Sequence, residues 1–158
     1  MSTVVGLFDD RSQAEKAVEE IKHSGIAENE ISIVGKEDRL RGENNDHDVR
    51  GAKMSTGATT GGTIGGLAGL LAGAGALAIP GVGPILAVGP IAAGLTGVAA
   101  GGLVGGLVDL GIPKERGEHY ENELKKGSIL AAVKTDGNKT QDVADFMRKN
   151  GARDVESH

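Results

Sequence analysis

The fold is decided by residues 4–34, which read VVGLFDDRSQAEKAVEEIKHSGIAENEISIV. A short apolar run that ends at Phe8 predicts one strand, and the run from Ile31 to Val34 predicts a second. Between them, apolar residues recur at the spacing of one helical face, and Gly25 is a typical residue just beyond a helix end. The stretch therefore predicts a β-α-β unit, with either Asp10 or Ser12 as the N-cap of its helix.

The carboxyl-terminal part of the chain repeats this plan. Its patterns predict a helix over 114–126, a strand over 129–133, a helix over 140–150 and a short strand over 152–156. At an offset of 126 residues, Ala17, Val18, Ile21, Lys22, Gly25 and Asp10 match Val143, Ala144, Met147, Arg148, Gly151 and Asp136. Two βαβ halves in one chain predict an α+β protein with a ferredoxin-like double βαβ sheet.

Charge divides the chain into zones. The stretch from Met54 to Val108 contains 55 residues without a charged side chain, and it holds 17 of the 27 glycines. We therefore predict a first βαβ half over 1–36, a polar linker over 37–53, an insertion over 54–110, and a helix plus the second βαβ half over 111–158.

Glycines recur every four residues in two rows of the insertion. They are Gly57, Gly61, Gly65, Gly69 and Gly73, followed after a proline-rich break by Gly97, Gly101 and Gly105. A period of four places each row on one side of a helix, where the absence of side chains allows two backbones to approach closely. The insertion therefore predicts a glycine-zipper helical hairpin, with arms over about 57–79 and 91–110, since proline breaks an interior helix.

Interior glycines are unfavourable in a helix, by about 1 kcal/mol each relative to alanine. Tight packing must offset this, either between copies of the chain or against membrane lipid. Only a few large aliphatic residues accompany the glycines, while Arg50, Lys53, Lys114 and Arg116 flank the insertion as expected for cytoplasmic ends of a membrane hairpin. A homo-oligomer and contact with membrane lipid both stay open at this point.

Composition excludes several function classes. A net charge of −5 argues against nucleic acid as the partner, and the absence of cysteine excludes disulfides and thiol chemistry. No catalytic constellation and no cofactor motif is recognisable, so the sequence predicts a protein that is not an enzyme. No secretory signal is visible at the start, which predicts a cytoplasmic location, with membrane association as the open alternative.

One weak metal-site candidate is present in the predicted helix over 114–126. Glu115, His119 and Glu123 follow one another at four-residue spacing and share a helical face. A solvated acidic face explains the same spacing without a metal. Phe8, Tyr120 and Phe146 are interpreted as packing residues, because no basic patch accompanies them.

Several segments of the chain form a recognisable set, namely VVGLFDD at 4–10, AEKAV at 14–18, EISIV at 30–34, AIPGVGP at 78–84, GIP at 111–113, Tyr120-Glu121 and Gly127. In these segments the chain resembles bacterial general stress proteins of the 17M type, the heat-induced stress proteins. The resemblance implies a bacterial protein that is induced by heat, salt or other stress, with no enzymatic residues to carry over.

Three functional hypotheses follow. The first is a non-enzymatic stress protein that self-assembles through the glycine-zipper hairpin, at the cytoplasmic face of the membrane or away from it. The second is a ferredoxin-like module that binds a small ligand or a metal. The third is a membrane-remodelling or pore-forming protein.

Overall fold

The structure, a computed structural model, describes residues 1–41, 75–79, 83–92 and 102–158. These residues form one antiparallel sheet of six strands with helices on both of its faces. The strands are β1 (Ser2–Phe8), β2 (Ile31–Lys36), β3 (Gly75–Ile79), β4 (Gly83–Val88), β5 (Ile129–Thr135) and β6 (Arg153–Ser157). The helices are α1 (Arg11–His23), α2 (Glu37–Arg41), α3 (Gly102–Asp109), α4 (Lys114–Lys125) and α5 (Thr140–Lys149), with a 3₁₀ turn over Glu28–Glu30. The predicted α+β class is confirmed.

The strand order across the sheet is β3-β4-β2-β5-β1-β6. The two halves of the chain, β1-α1-β2 and β5-α5-β6, interleave so that β5 lies between β1 and β2, with Val5 opposite Ala132 and Ile33 opposite Ala131. All neighbouring strands are antiparallel. Neither half could form this sheet alone, because each supplies strands that pair with the other.

Helices α1 and α5 cover one face of the sheet. The side chains of α1 that are buried there belong to the predicted face, Ala14, Ala17, Val18 and Ile21, and those of α5 are Val143, Ala144 and Met147. Both helices are followed by a glycine with positive φ, +88° at Gly25 and +92° at Gly151. The internal repeat is thus present in three dimensions.

The capping residues do not share that repeat. The Asp10 side chain accepts a hydrogen bond from the Ser12 amide at 3.1 Å, which identifies Asp10 as the N-cap of α1. The matching Asp136 does not cap α5, because Lys139 precedes that helix and makes no side-chain capping bond.

Helices α3 and α4 cover the opposite face. Leu103 and Leu107 of α3 and Tyr120 and Leu124 of α4 are all fully buried there. They pack with strand residues that point to this side, namely Val5, Leu7, Val34, Ile85, Ala87, Leu130 and Ala132. We call the sheet and the helices that cover its two faces the head. Because α3 and β4 lie within the predicted insertion, the insertion supplies part of the hydrophobic core of the head.

The predicted first arm of the hairpin is wrong over Gly75–Ile79, where the chain is strand β3 rather than helix. Gly83–Val88, in and after the predicted proline-rich break, is strand β4, which pairs with β3 on one side and with β2 on the other. The physical reason is that β2 offers a hydrogen-bonding edge, and short apolar runs bounded by Gly and Pro suit a strand as well as a helix. In the second arm, α3 confirms a helix over Gly102–Asp109.

The predicted polar linker is also wrong at its start. Glu37–Arg41 forms α2, and its Leu40 side chain is fully buried. Gly35 makes room for it, since a Cβ at that position would lie 3.1 Å from Leu40 Cγ. Arg39 Nε donates a hydrogen bond to the Gly127 carbonyl oxygen at 3.0 Å, beyond the end of α4. The rest of the predicted linker lies outside the described residues.

Candidate functional site

The predicted helix-packing glycines fall mostly outside the described residues. This applies to Gly57, Gly61, Gly65, Gly69, Gly73, Gly97 and Gly101. Gly105 lies in α3 and is half-buried. The glycine zipper therefore stays a prediction. Of its two rows, the structure describes only Gly105, the last glycine of the second row, in α3.

Helix α3 lies close to α4. The contact on α4 is Gly117, where a Cβ would lie 3.2 Å from Val104 Cγ1 and 3.6 Å from Val104 Cα. Gly117 is buried, and a Cβ at this position would require the Val104 side chain to shift by a few tenths of an ångström. Sequence reasoning missed this residue, although a lone glycine inside a polar helix is unfavourable by about 1 kcal/mol and usually has a packing reason.

Helix α4 is joined to the sheet edge by polar side chains. We call Arg116, His119 and Tyr120 of α4 and Asp154 and Glu156 of β6 the α4–β6 cluster. Arg116 donates two hydrogen bonds to the Glu156 carboxylate, the one from Nε at 2.8 Å. Tyr120 Oη donates to Glu156 Oε2 at 3.3 Å, and His119 Nε2 lies 3.0 Å from Asp154 Oδ2. Such contacts orient a helix and a strand relative to each other.

Tyr120 lies at the apolar end of this cluster. Its side chain is fully buried, and the Arg116 guanidinium lies 5.3 Å from the centre of its ring. Burial and the nearby Glu156 carboxylate raise the pKa of Tyr120 to about 12, although Arg116 opposes this. The phenol is therefore neutral at physiological pH and acts as a hydrogen-bond donor.

Tyr120 is the only tyrosine in a chain without tryptophan, so phenolate absorbance reports on it alone. We expect this absorbance to titrate well above pH 10, with a midpoint towards the pKa of about 12 in the folded protein, and near the ordinary 10.0 in urea. Since the folded pKa is raised, the stability that the neutral phenol contributes is present below pH 10 and is lost as pH rises towards 12.

The Glu156→Gln variant is the control for this titration. Removing the carboxylate removes one cause of the raised pKa, so the folded midpoint should move down towards 10. A wild-type midpoint of 10 in the folded protein would contradict the buried position of Tyr120.

A second group of charges lies beside the cluster. Arg153 of β6 donates to Asp9 Oδ2 at 3.0 Å and to the Ser128 hydroxyl at 3.2 Å, and its Nη2 lies 3.4 Å from Glu123 Oε2. The hydrogen bond from Lys126 lowers the pKa of Glu123, and Arg153 adds to this effect. Charged side chains along an edge strand oppose pairing with a foreign strand.

The structure does not bring the metal-site candidates Glu115, His119 and Glu123 together. His119 contacts Asp154, and Glu123 contacts Lys126 and Arg153, while Glu115 is exposed. Residues at i and i+8 are about 12 Å apart along a helix, which is too far for one ion. Within the described part of the chain, no three His, Asp or Glu side chains are grouped so as to hold a metal ion.

The membrane hypothesis can be compared with the helices that the structure describes. Among residues 1–41, 75–79, 83–92 and 102–158, no helix combines the length and the apolar character needed to cross a bilayer.

Comparison with protein families finds a match over the first part of the chain. Residues 3–78 match the family model described as "Heat induced stress protein YflT domain". The match confirms the resemblance to heat-induced stress proteins and suggests a stress-associated role. The matched family is not a known enzyme family. No curated protein and no solved structure is significantly similar to the chain.

Proposed function

We propose that this chain is a non-enzymatic, stress-associated protein that assembles into homo-oligomers through its uncharged, glycine-periodic segment. The observation that carries the proposal is the recurrence of glycine every four residues from Gly57 to Gly73 and from Gly97 to Gly105. Small residues at this spacing are typical of helices that pack at very short distance. We propose that the protein is located in the cytoplasm, including the cytoplasmic face of the membrane.

The described head exposes little apolar surface, and this supports an association site in the uncharged segment instead. Among the residues whose burial the structure describes, the exposed large hydrophobic side chains are Met1 and Val108. Both sheet faces are covered by helices, which leaves little apolar surface on the described head for a partner. The uncharged segment is where the remaining apolar residues of the chain are concentrated.

The segment is also attached firmly to the head at one end. Leu103 and Leu107 anchor α3 in the core, and Val104 contacts Gly117 of α4. An association that involves Gly97 and Gly101 would therefore join whole heads rather than a loosely tethered tail.

Strand β3 shortens the first predicted arm, and this favours packing between copies over membrane insertion. With Gly75–Ile79 in the sheet, the first glycine row ends at Gly73. A helix over residues 57–73 would be about 25 Å long, which is less than the ~30 Å hydrocarbon core of a bilayer.

The double variant Gly65→Leu/Gly101→Leu tests self-assembly. We expect the wild-type protein to sediment as an oligomer and the variant to sediment as smaller species, because two leucines prevent close helix approach. Gly137→Leu is the matched control, since Gly137 is exposed and a Cβ there would meet nothing within 4 Å. A monomeric wild type, or an unchanged oligomer in the double variant, would show that the glycine rows do not drive assembly.

Membrane contact is a separate part of the proposal and needs its own measurement. The wild type can be mixed with anionic liposomes and floated on a density gradient, followed by a carbonate wash. Protein that stays in the lipid-free fraction would remove the membrane face from the proposal and leave the oligomer intact.

A further inference from the structure

Strand β3 forms one edge of the sheet, and in the described part of the chain it pairs with β4 alone. Its five residues, GALAI, contain no charged side chain and no proline, the residue types that usually keep an edge strand from pairing with another chain. The opposite edge, β6, carries Arg153, Asp154 and Glu156, and its register with β1 shifts once. Charge and irregular pairing therefore protect the β6 edge, and neither protects the β3 edge.

The direction of the backbone groups at the β3 edge follows from a proline in β4. Residues that lie opposite each other in an antiparallel pair alternate between those that exchange two hydrogen bonds and those that exchange none. Pro84 lies opposite Ala78 and has no N–H to donate, so this pair is of the second kind. The pair of Ala76 and Leu86, two residues along the strand, is of the same kind. The N–H and C=O groups of Ala76 and Ala78 therefore point away from β4, towards the outer edge of the described sheet.

We propose that the β3 edge pairs with β3 of a second copy of this chain, in an antiparallel arrangement with Leu77 on the two-fold axis. In this register Ala76 lies opposite the partner's Ala78, and every outward N–H and C=O of these two residues has a hydrogen-bond partner. The sequence Ala-Leu-Ala over 76–78 also reads the same in both directions. The strand is thus complementary to itself, as a two-fold interface requires.

The two edges of the sheet differ in a way that favours pairing of like with like. A contact between β3 and the β6 edge of another copy would meet the charges and the irregular register of β6, and it would leave a free edge at each end. Pairing of two β3 edges closes after two copies and leaves the charged β6 edges at the outer ends of one continuous sheet.

This inference rests on the proposed self-assembly and names a contact for it outside the glycine rows, since β3 begins after Gly73. The smaller species expected for Gly65→Leu/Gly101→Leu is then the dimer that is joined through β3.

Disulfide cross-linking tests the contact, because the chain has no cysteine of its own. Leu77→Cys would place two cysteines opposite each other with Cα atoms about 4.5 Å apart, within the range of a disulfide. Ile79→Cys is the matched control, because its cysteine would lie opposite the partner's Gly75 and about 13 Å from the second cysteine, beyond that range. In glutathione buffer we expect Leu77→Cys to cross-link at least about tenfold faster than Ile79→Cys. Equal rates in the two variants would overturn the inference.

Hydrogen exchange of the wild type tests the same contact without a substitution. The N–H of Leu77 is directed to β4 within one chain, whereas those of Ala76 and Ala78 are directed to the second copy. On dilution that separates the two copies, protection of Ala76 and Ala78 should fall by about tenfold or more, while protection of Leu77 stays constant. Protection of Ala76 and Ala78 that is absent, or that does not change with concentration, would show that no second copy pairs with this edge.

The cross-link also separates this contact from the glycine rows. If Leu77→Cys still cross-links in the Gly65→Leu/Gly101→Leu background, the β3 contact stands even where the glycine rows contribute nothing. If the wild type sediments as an oligomer but Leu77→Cys cross-links no faster than Ile79→Cys, the glycine rows stay as the interface and the β3 contact is removed.

Discussion

Replacing Gly89 by alanine will destabilise the protein by about 4 kcal/mol or more, the range reached only by severe structural conflicts. A Cβ at this position would lie 2.1 Å from the carbonyl oxygen of Ile31 and 2.9 Å from Ser32 Cα. Both atoms belong to the backbone of β2, which lies inside the sheet and cannot move aside as a flexible side chain could. Gly89 also has a φ of +83°, which adds strain for any L-residue.

The variant Gly83→Ala separates these two causes. Gly83 begins strand β4 with a similar φ of +90°, yet a Cβ there would meet nothing within 4 Å. We expect it to lower the free energy of unfolding by only about 1 to 2 kcal/mol, from the backbone conformation alone. Urea unfolding followed by far-ultraviolet circular dichroism measures both variants. If they lost the same stability, the close approach of Gly89 to β2 would not exist in solution.

Replacing Leu107 by alanine will cost about 2 to 5 kcal/mol of unfolding free energy, as expected for a buried leucine that leaves a cavity. Leu107 is fully buried and belongs to the same core cluster as Tyr120 and Leu130. This prediction tests whether the uncharged insertion is part of the head or an independent arm. An independent arm would leave the unfolding of the head unchanged.

The neighbouring variant Val108→Ala is the control for Leu107. Val108 is 46% exposed, so its truncation should change the unfolding free energy by no more than about 0.5 kcal/mol. The fluorescence of Tyr120, which packs in the same cluster as Leu107, follows unfolding of this layer directly. Equal and small effects of the two substitutions would place α3 outside the core.

Part of the insertion is packed in the head, and this limits how the protein can assemble. Strand β4 pairs with β2, and α3 packs against α4, so part of the uncharged segment cannot leave the head without exposing the core. We expect assembly through the glycine rows to preserve the sheet, because the described contacts of the insertion are made inside one chain.

Much of the fold could be predicted because its signals are local. The buried face of α1 is visible as Ala14, Ala17, Val18 and Ile21, and its end is visible as Gly25. The same signals at an offset of 126 residues predicted α5 and the second pair of strands. Helical period, capping residues and turn glycines act over a few residues, so the order of amino acids carries them without reference to the rest of the molecule.

The prediction of a helix over Gly75–Ile79 was wrong because the contacts that decide the structure of this segment are not local. A run of Gly, Ala, Leu and Ile fits a strand or a helix, and the four-residue glycine period preceding it favoured a helix. The segment is a strand because of sheet pairing. The edge of β2 pairs with β4, and β4 then pairs with β3. Helix α2 was missed for a similar reason, since Leu40 is the apolar residue that anchors a short polar stretch.

The amino-acid order of this chain thus contains its two βαβ units, their repeat and its uncharged, glycine-periodic middle, because these depend on neighbours a few residues apart. Folding in three dimensions alone placed the insertion's strands and helix α3 in the head, and it alone brought Tyr120 to Glu156 and His119 to Asp154. Those contacts join residues 35 and 36 positions apart in the chain. Their formation depends on which sheet edge and which helix face remain free after the local elements have packed.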